Sequence, residues 1–178
     1  MLLFQLTQYN FLVTCLYNSQ TKFNRIKPYI KKMNYDNIEI LFAEDSMDDA
    51  TLTIRALTKS GFLNKLHHVK DGTEALDFLY CKGIYASRNP DWKPKLLLLD
   101  LKMPKVSGMQ VLEKVKSDPD LKSIPIVILS SSQEYPDIAK CYALGANSYI
   151  VKPVDSDNFF NAIKEMGMYW MILSQPAS

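Results

Sequence analysis

Four hydrophobic runs in this chain lead into residues able to do chemistry: ILFA into Glu44 and Asp45, LLLL into Asp100, PIVIL into Ser130 and SYIV into Lys152. In a parallel sheet the C-terminal ends of the strands gather along one edge, where loops converge and ligands bind at the reversal of strand order. Three carboxylates, a hydroxyl and an ammonium would then share one site. Like charges a few ångströms apart raise one another's pKa or recruit a cation. Magnesium suits such a set, because this hard ion takes one or two carboxylates together with water and phosphate oxygens. Carboxylate, metal, hydroxyl and lysine together describe phosphoryl transfer, in which an aspartate can be the covalent acceptor. Asp100 stands alone at its strand end and is the candidate acceptor.

The elements that must position these residues are legible from periodicity. Residues 38–42, 66–69, 96–99, 126–129 and 148–151 read as five strands, several apolar throughout as strands buried on both faces are. Between them lie helical stripes: Ala50, Ile54 and Leu57; Ala75, Phe78 and Leu79; Val111, Leu112 and Val115; Ile138, Cys141 and Tyr142. A fifth stripe, Phe159, Ile163, Met166, Trp170 and Leu173, reads as core packing. Alternating strands and helices imply right-handed crossovers and an α/β fold: a doubly wound five-stranded parallel sheet of flavodoxin-like type, order 2-1-3-4-5. Ser46 and Asp49 read as an acidic variant of the capping box, with Asp48 and Asp49 at the positive end of the helix dipole. Residues 83–95, with Pro90 and Pro94, read as a long loop before the third strand.

Other chemistries fit less well. A nucleotide-hydrolysing strand-end acid needs a phosphate loop, and the chain has no GxxxxGK[ST]. A haloacid-dehalogenase phosphatase usually carries a second acid two residues after the first; here that position is Lys102. The 178 residues suit one domain, with no room for a separate DNA-binding domain, and 47% hydrophobic with 22% charged residues is ordinary globular composition. The net charge of +2 is unevenly spread. Residues 1–33 hold five basic residues and no acid, leaving 16 basic against 19 acidic residues beyond them, so the globular part signals no nucleic-acid surface. Cys15, Cys81 and Cys141 are far apart, without metal-ligand spacing, which reads as a reduced cytosolic chain. His67 and His68 are strand neighbours whose side chains point to opposite faces and cannot chelate one ion together. The apolar opening is broken by Gln5, Gln8 and Asn10, short of a membrane span. Residues 1–36 are read as an extension, with Met33 an alternative start; 37–174 as the domain; and 175–178 as a tail.

In order and spacing, EDS, LLLLDLKMPKVSG, PIVILSSS and SYIVKP resemble the response-regulator receiver domain, CheY-like, of two-component signalling. The resemblance implies a phosphorelay: a sensor histidine kinase donates phosphate to Asp100 with Mg2+, held by Glu44, Asp45, Asp100 and the backbone carbonyl of Lys102. It further implies that Lys152 supplies positive charge, that the Lys152–Pro153 bond is cis, and that Ser130 bonds a phosphoryl oxygen while Tyr149 follows it as a switch. Catalysis beyond phosphotransfer to itself and slow autodephosphorylation is not implied. The long loop, NSYIVKPV and the MYW ending resemble regulators paired with phytochromes, so the expected kinase is phytochrome-like. A homodimer through the fourth helix, fifth strand and fifth helix is expected, in the cytoplasm, without nucleic acid or membrane. A rival from another class is a pseudo-receiver, an interaction module that keeps the fold without the phosphate chemistry.

Overall fold

In the computed structural model, which describes residues 38–59, 66–155, 157 and 161, the five apolar runs form five strands. They are β1 (Ile40–Ala43), β2 (Leu66–Val69), β3 (Leu96–Asp100), β4 (Ile126–Ser130) and β5 (Ser148–Val151). All four pairings are parallel, and the order β2-β1-β3-β4-β5 is the expected one. Between the strands run α1 (Met47–Lys59), α2 (Gly72–Leu79), α3 (Gly108–Ser117) and α4 (Tyr135–Ala143).

Period-two alternation divides the interior into two cores. Leu41, Leu97, Leu99, Ile126 and Ile128 meet α2 and α3 through Phe78, Val111 and Leu112. Ile40, Phe42, Leu96, Leu98, Val127 and Leu129 meet α1 through Ala50 and Leu57. Every residue of β1, β3 and β4 is buried, which explains their lack of polar alternation. The strand ends differ from the sequence reading by a residue or two. β1 starts at Ile40, while β3 and β4 each run one residue further because Asp100 and Ser130 still pair in the ladder, with Leu129 and Val151.

Two other expectations are modified. Tyr142, placed on the apolar stripe of α4, is exposed, and Cys141 is that helix's buried residue. The 83–95 loop is no loose excursion. It opens with a 3₁₀ turn (Gly83–Tyr85) that buries Tyr85, whose hydroxyl donates to Glu74 Oε1 (2.9 Å) and leaves its oxygen to accept from His67 Nε2 (3.0 Å). Arg88 then lies over the Phe78 ring, 3.7 Å from its centroid, and donates to the carbonyls of Phe78 and Trp92. An apolar ring face and two carbonyls thus accommodate a buried guanidinium.

The chain divides into two units, residues 1–33 and 34–178, of which the first lies outside the described residues, as does the fifth apolar stripe from Phe159 to Leu173. Among the described residues no helix is long and apolar enough to cross a membrane.

Candidate functional site

The reversal of strand order falls between β1 and β3, and the acidic residues stand there. Glu44 continues the β1 ladder, its N–H donating to Val69 O (3.0 Å), so the sheet itself fixes its backbone. Its side chain is buried: Oε1 accepts from the Ser46 amide (3.2 Å) and Oε2 from Lys152 Nζ. Asp45 is exposed at the mouth. Asp100 is 5% exposed and its Oδ2 accepts the Lys102 amide at 3.1 Å. Glu44, Asp45 and Asp100 each present an oxygen with all three within 4.8 Å of one another. A donor set made only of carboxylate oxygens fits a hard divalent cation such as Mg2+ and suits the softer metals poorly.

Lys152, just past β5, lies among these carboxylates. Its ammonium reaches Glu44 Oε2, Asp49 Oδ2 (3.0 Å) and Asp100 Oδ1 (3.2 Å). Burial pushes the Glu44 carboxyl above its ordinary pKa, the Asp100 charge adding to it and Lys152 only partly offsetting it. For Lys152 burial acts downward, but the bonds to Glu44 and Asp49 and the charge of Asp100 outweigh it and hold the ammonium above its usual range. Both shifts have one meaning: this edge favours positive charge. The Lys152–Pro153 bond is cis, as expected.

Ser130 closes the neighbouring strand and is fully buried. Its Oγ accepts the Ser132 amide (3.2 Å), which leaves its proton available to donate. Tyr149, half-buried against the first core, does not take its partner from Ser130; its hydroxyl donates to the Ser132 carbonyl (2.9 Å). Ser132 also donates its hydroxyl to Asp137 Oδ2 (2.8 Å) and accepts the Glu134 amide (3.3 Å) at the start of α4. The two expected switch residues are thus joined through Ser132, which sequence reasoning passed over. The available signal was a hydroxyl residue three positions before a helix that begins Tyr-Pro.

Two further residues were misread or missed. Ser46 caps α1 as expected, accepting the Asp49 amide (3.3 Å), but the box is not reciprocal. The Ser46 amide is already taken by Glu44, so the Asp49 carboxylate turns to Lys152 and joins the site. His67 and His68 do face opposite sides, and His68 Nε2 donates to the Glu44 carbonyl (2.8 Å), bracing the acidic pair from β2.

Residues 40–164 match the family model described as the response regulator receiver domain. The response regulator Rcp1 of Synechocystis sp. is 36% identical over 132 residues, 74% of this chain and 88% of that protein. A solved Mn(2+)-bound form of response regulator Rcp1 matches with a TM-score of 0.62 at 33% identity, covering 78% of this chain and 98% of that one. The bacteriophytochrome response regulator RtBRR is 45% identical with a TM-score of 0.69, over 78% of this chain and 82% of that one. The phosphorylated cyanobacterial phytochrome response regulator RcpA is 37% identical with a TM-score of 0.62, over 79% and 99%.

Proposed function

The chain belongs to the response regulator receiver domain family, and on that premise we propose that it accepts a phosphoryl group on Asp100 from the phosphohistidine of a sensor histidine kinase. The observation that carries this reading is the setting of Asp100: Lys152 Nζ at 3.2 Å, the oxygens of Glu44 and Asp45 within 4.8 Å, and Ser130 ending the adjacent strand. An Asp100 oxygen attacks phosphorus in line; the O–P bond forms as the P–N bond of the phosphohistidine breaks, and the leaving imidazole keeps the electron pair. The Lys102 amide orients the carboxylate for attack. Lys152 shifts its charge toward the phosphoryl oxygens, and Ser130, its lone pair engaged by Ser132, donates its proton to one of them. Glu44, Asp45, Asp100 and the Lys102 carbonyl would hold Mg2+, which when bound neutralises charge shared between carboxylate and phosphoryl oxygens.

The domain acts by changing partners rather than by turning over a substrate, its own chemistry being phosphoryl acceptance and slow hydrolysis in the cytoplasm. The likeness to RtBRR and RcpA favours a phytochrome-like kinase as donor. Tyr149 carries the switch through Ser132 to α4, and two copies pair through the face that α4 and β5 build.

Acetyl phosphate with Mg2+ tests the reading directly. Intact-mass analysis is expected to show one phosphoryl group on the native chain and none on Asp100→Asn, with EDTA abolishing uptake. Equal labelling of Asp100→Asn would remove the assignment; no labelling of the native chain would favour the pseudo-receiver.

A further inference from the structure

The loop that brings Lys102 to Asp100 is held from outside the site. It runs through residues 101–107 between β3 and α3, and two glycines let its ends pack against backbone. A Cβ at Gly108 would lie 1.9 Å from the Asp100 carbonyl oxygen, and one at Gly72, which opens α2, would lie 2.1 Å from the Val106 carbonyl oxygen. At the crest Lys105 has a φ of +63°, a left-handed conformation that residues with a Cβ avoid. Its side chain crosses to α2 and places Nζ 2.5 Å from Asp71 Oδ2. The Asp71 side chain is 7% exposed, and its Oδ1 accepts the Glu74 amide (2.8 Å) as the N-cap of α2. One carboxylate therefore starts a helix and holds a loop. Burial acts to raise the Asp71 pKa, but Lys105 and the first amides of α2 hold it below the ordinary carboxylate range. Exposed ion pairs usually contribute little because both partners wander. Here the acid is buried and already fixed by its capping bond.

We propose that Asp71 and Lys105 are a positioning pair for the acceptor site: they set the crest of the 101–107 loop against α2, and through it the Lys102 peptide, whose amide orients Asp100 and whose carbonyl serves the metal. This rests on the reading of the site given above. The pair acts through Lys102, not by touching the phosphoryl group.

Three variants separate this role from plain stability. Asp71→Asn keeps the α2 cap, since asparagine caps as well as aspartate, but removes the charge. Lys105→Gly removes the ammonium while relieving the left-handed backbone, and Lys105→Arg retains the charge. The readouts are the NMR shift of the Lys102 amide, the Mn2+ dissociation constant by electron paramagnetic resonance, and Tm. Asp71→Asn and Lys105→Gly are expected to move the Lys102 resonance and weaken Mn2+ binding about tenfold, the lower end of what outer partners of metal ligands cost. Lys105→Arg should restore both, Lys105→Gly should not lower Tm, and the double variant should be no weaker than either single one. Unchanged Lys102 shifts and Mn2+ affinity in both charge-removing variants would overturn the proposal. A native chain that binds no Mn2+ would instead overturn the reading of the metal site, while the Lys102 shift would still decide whether the pair sets the loop.

Discussion

The backbone of Ser132 gives a hydrogen bond to Ser130 and receives one from Tyr149, and the proposed switch would run through it. Ser130→Ala removes the proposed donor to the phosphoryl group yet leaves Asp100, Glu44 and Asp45 in place. It should still take up phosphate, while losing a charged hydrogen bond worth about 1.5–3 kcal/mol, enough to shift a two-state equilibrium more than tenfold. The phosphorylation-dependent change of the Tyr149 ring signals by NMR should shrink accordingly; a full-sized change in the variant would refute the coupling. A different side chain is expected to contribute to acid stability. Burial is the largest influence on His67, and with the charges of His68 and Arg88 it outweighs the Glu74 carboxylate and lowers the imidazole pKa. Since the folded pKa is depressed, the unfolded chain binds more protons, and stability present at neutral pH is lost as pH falls through about 6.5 toward the folded value. The fall in Tm on acidification across that range is expected to be smaller in His67→Phe, a ring that can still stack on Phe78; identical slopes would reject this role.

Helices α3 and α4 are anchored very differently. The first has a complete capping box, Ser107 with Gln110, and buries Gly108, Val111, Leu112 and Val115. The second has no side-chain bond at its Glu134 cap and buries Cys141, its start tied instead through Ser132 to Asp137. A helix with so little buried apolar surface opens locally at low cost. Native-state hydrogen exchange should therefore find the amides of residues 139–143 exchanging faster than those of 112–117. Equal protection would show that α4 is held by contacts other than these. The same weakness makes α4 suited to relay a change at Ser130, because moving it disturbs little of the core. The 83–95 loop shows the opposite case: Tyr85 and Arg88 commit an irregular segment to the interior, Tyr85 against His67 of β2 and Arg88 over Phe78 of α2.

For the molecule as a whole, the proposed outward route of the signal is the α4–β5 side, where Tyr135 is 80% and Tyr142 49% exposed. Exposed aromatic rings on a weakly anchored helix suit a surface that changes partners. A symmetric pair would use this patch twice. Light scattering should show a rise in mass when a phosphoryl mimic is added, and Tyr142→Arg should suppress the rise without altering phosphoryl uptake. A rise unaffected by that substitution would place the contact elsewhere.

The sheet follows from the alternation of strands and helices, and the residues at its candidate edge from sequence as well, because a strand buried on both faces must be apolar throughout and a polar residue at its end stands out against the run. Glu44, Asp45, Asp100 and Ser130 were legible for that reason, and Lys152 from its place after the SYIV run. The partners around them were not. Asp49 turns to Lys152 only because Ser46 is occupied by Glu44; Ser132 couples Ser130 to Tyr149 through main-chain groups that every residue carries; Asp71 meets Lys105 across 34 positions. Such choices depend on which donor is already satisfied and on how two distant segments approach, and periodicity carries no record of either. Burial can be read from a pattern of side chains, whereas the pairing of polar groups is decided by distances that exist only once the sheet and helices have assembled.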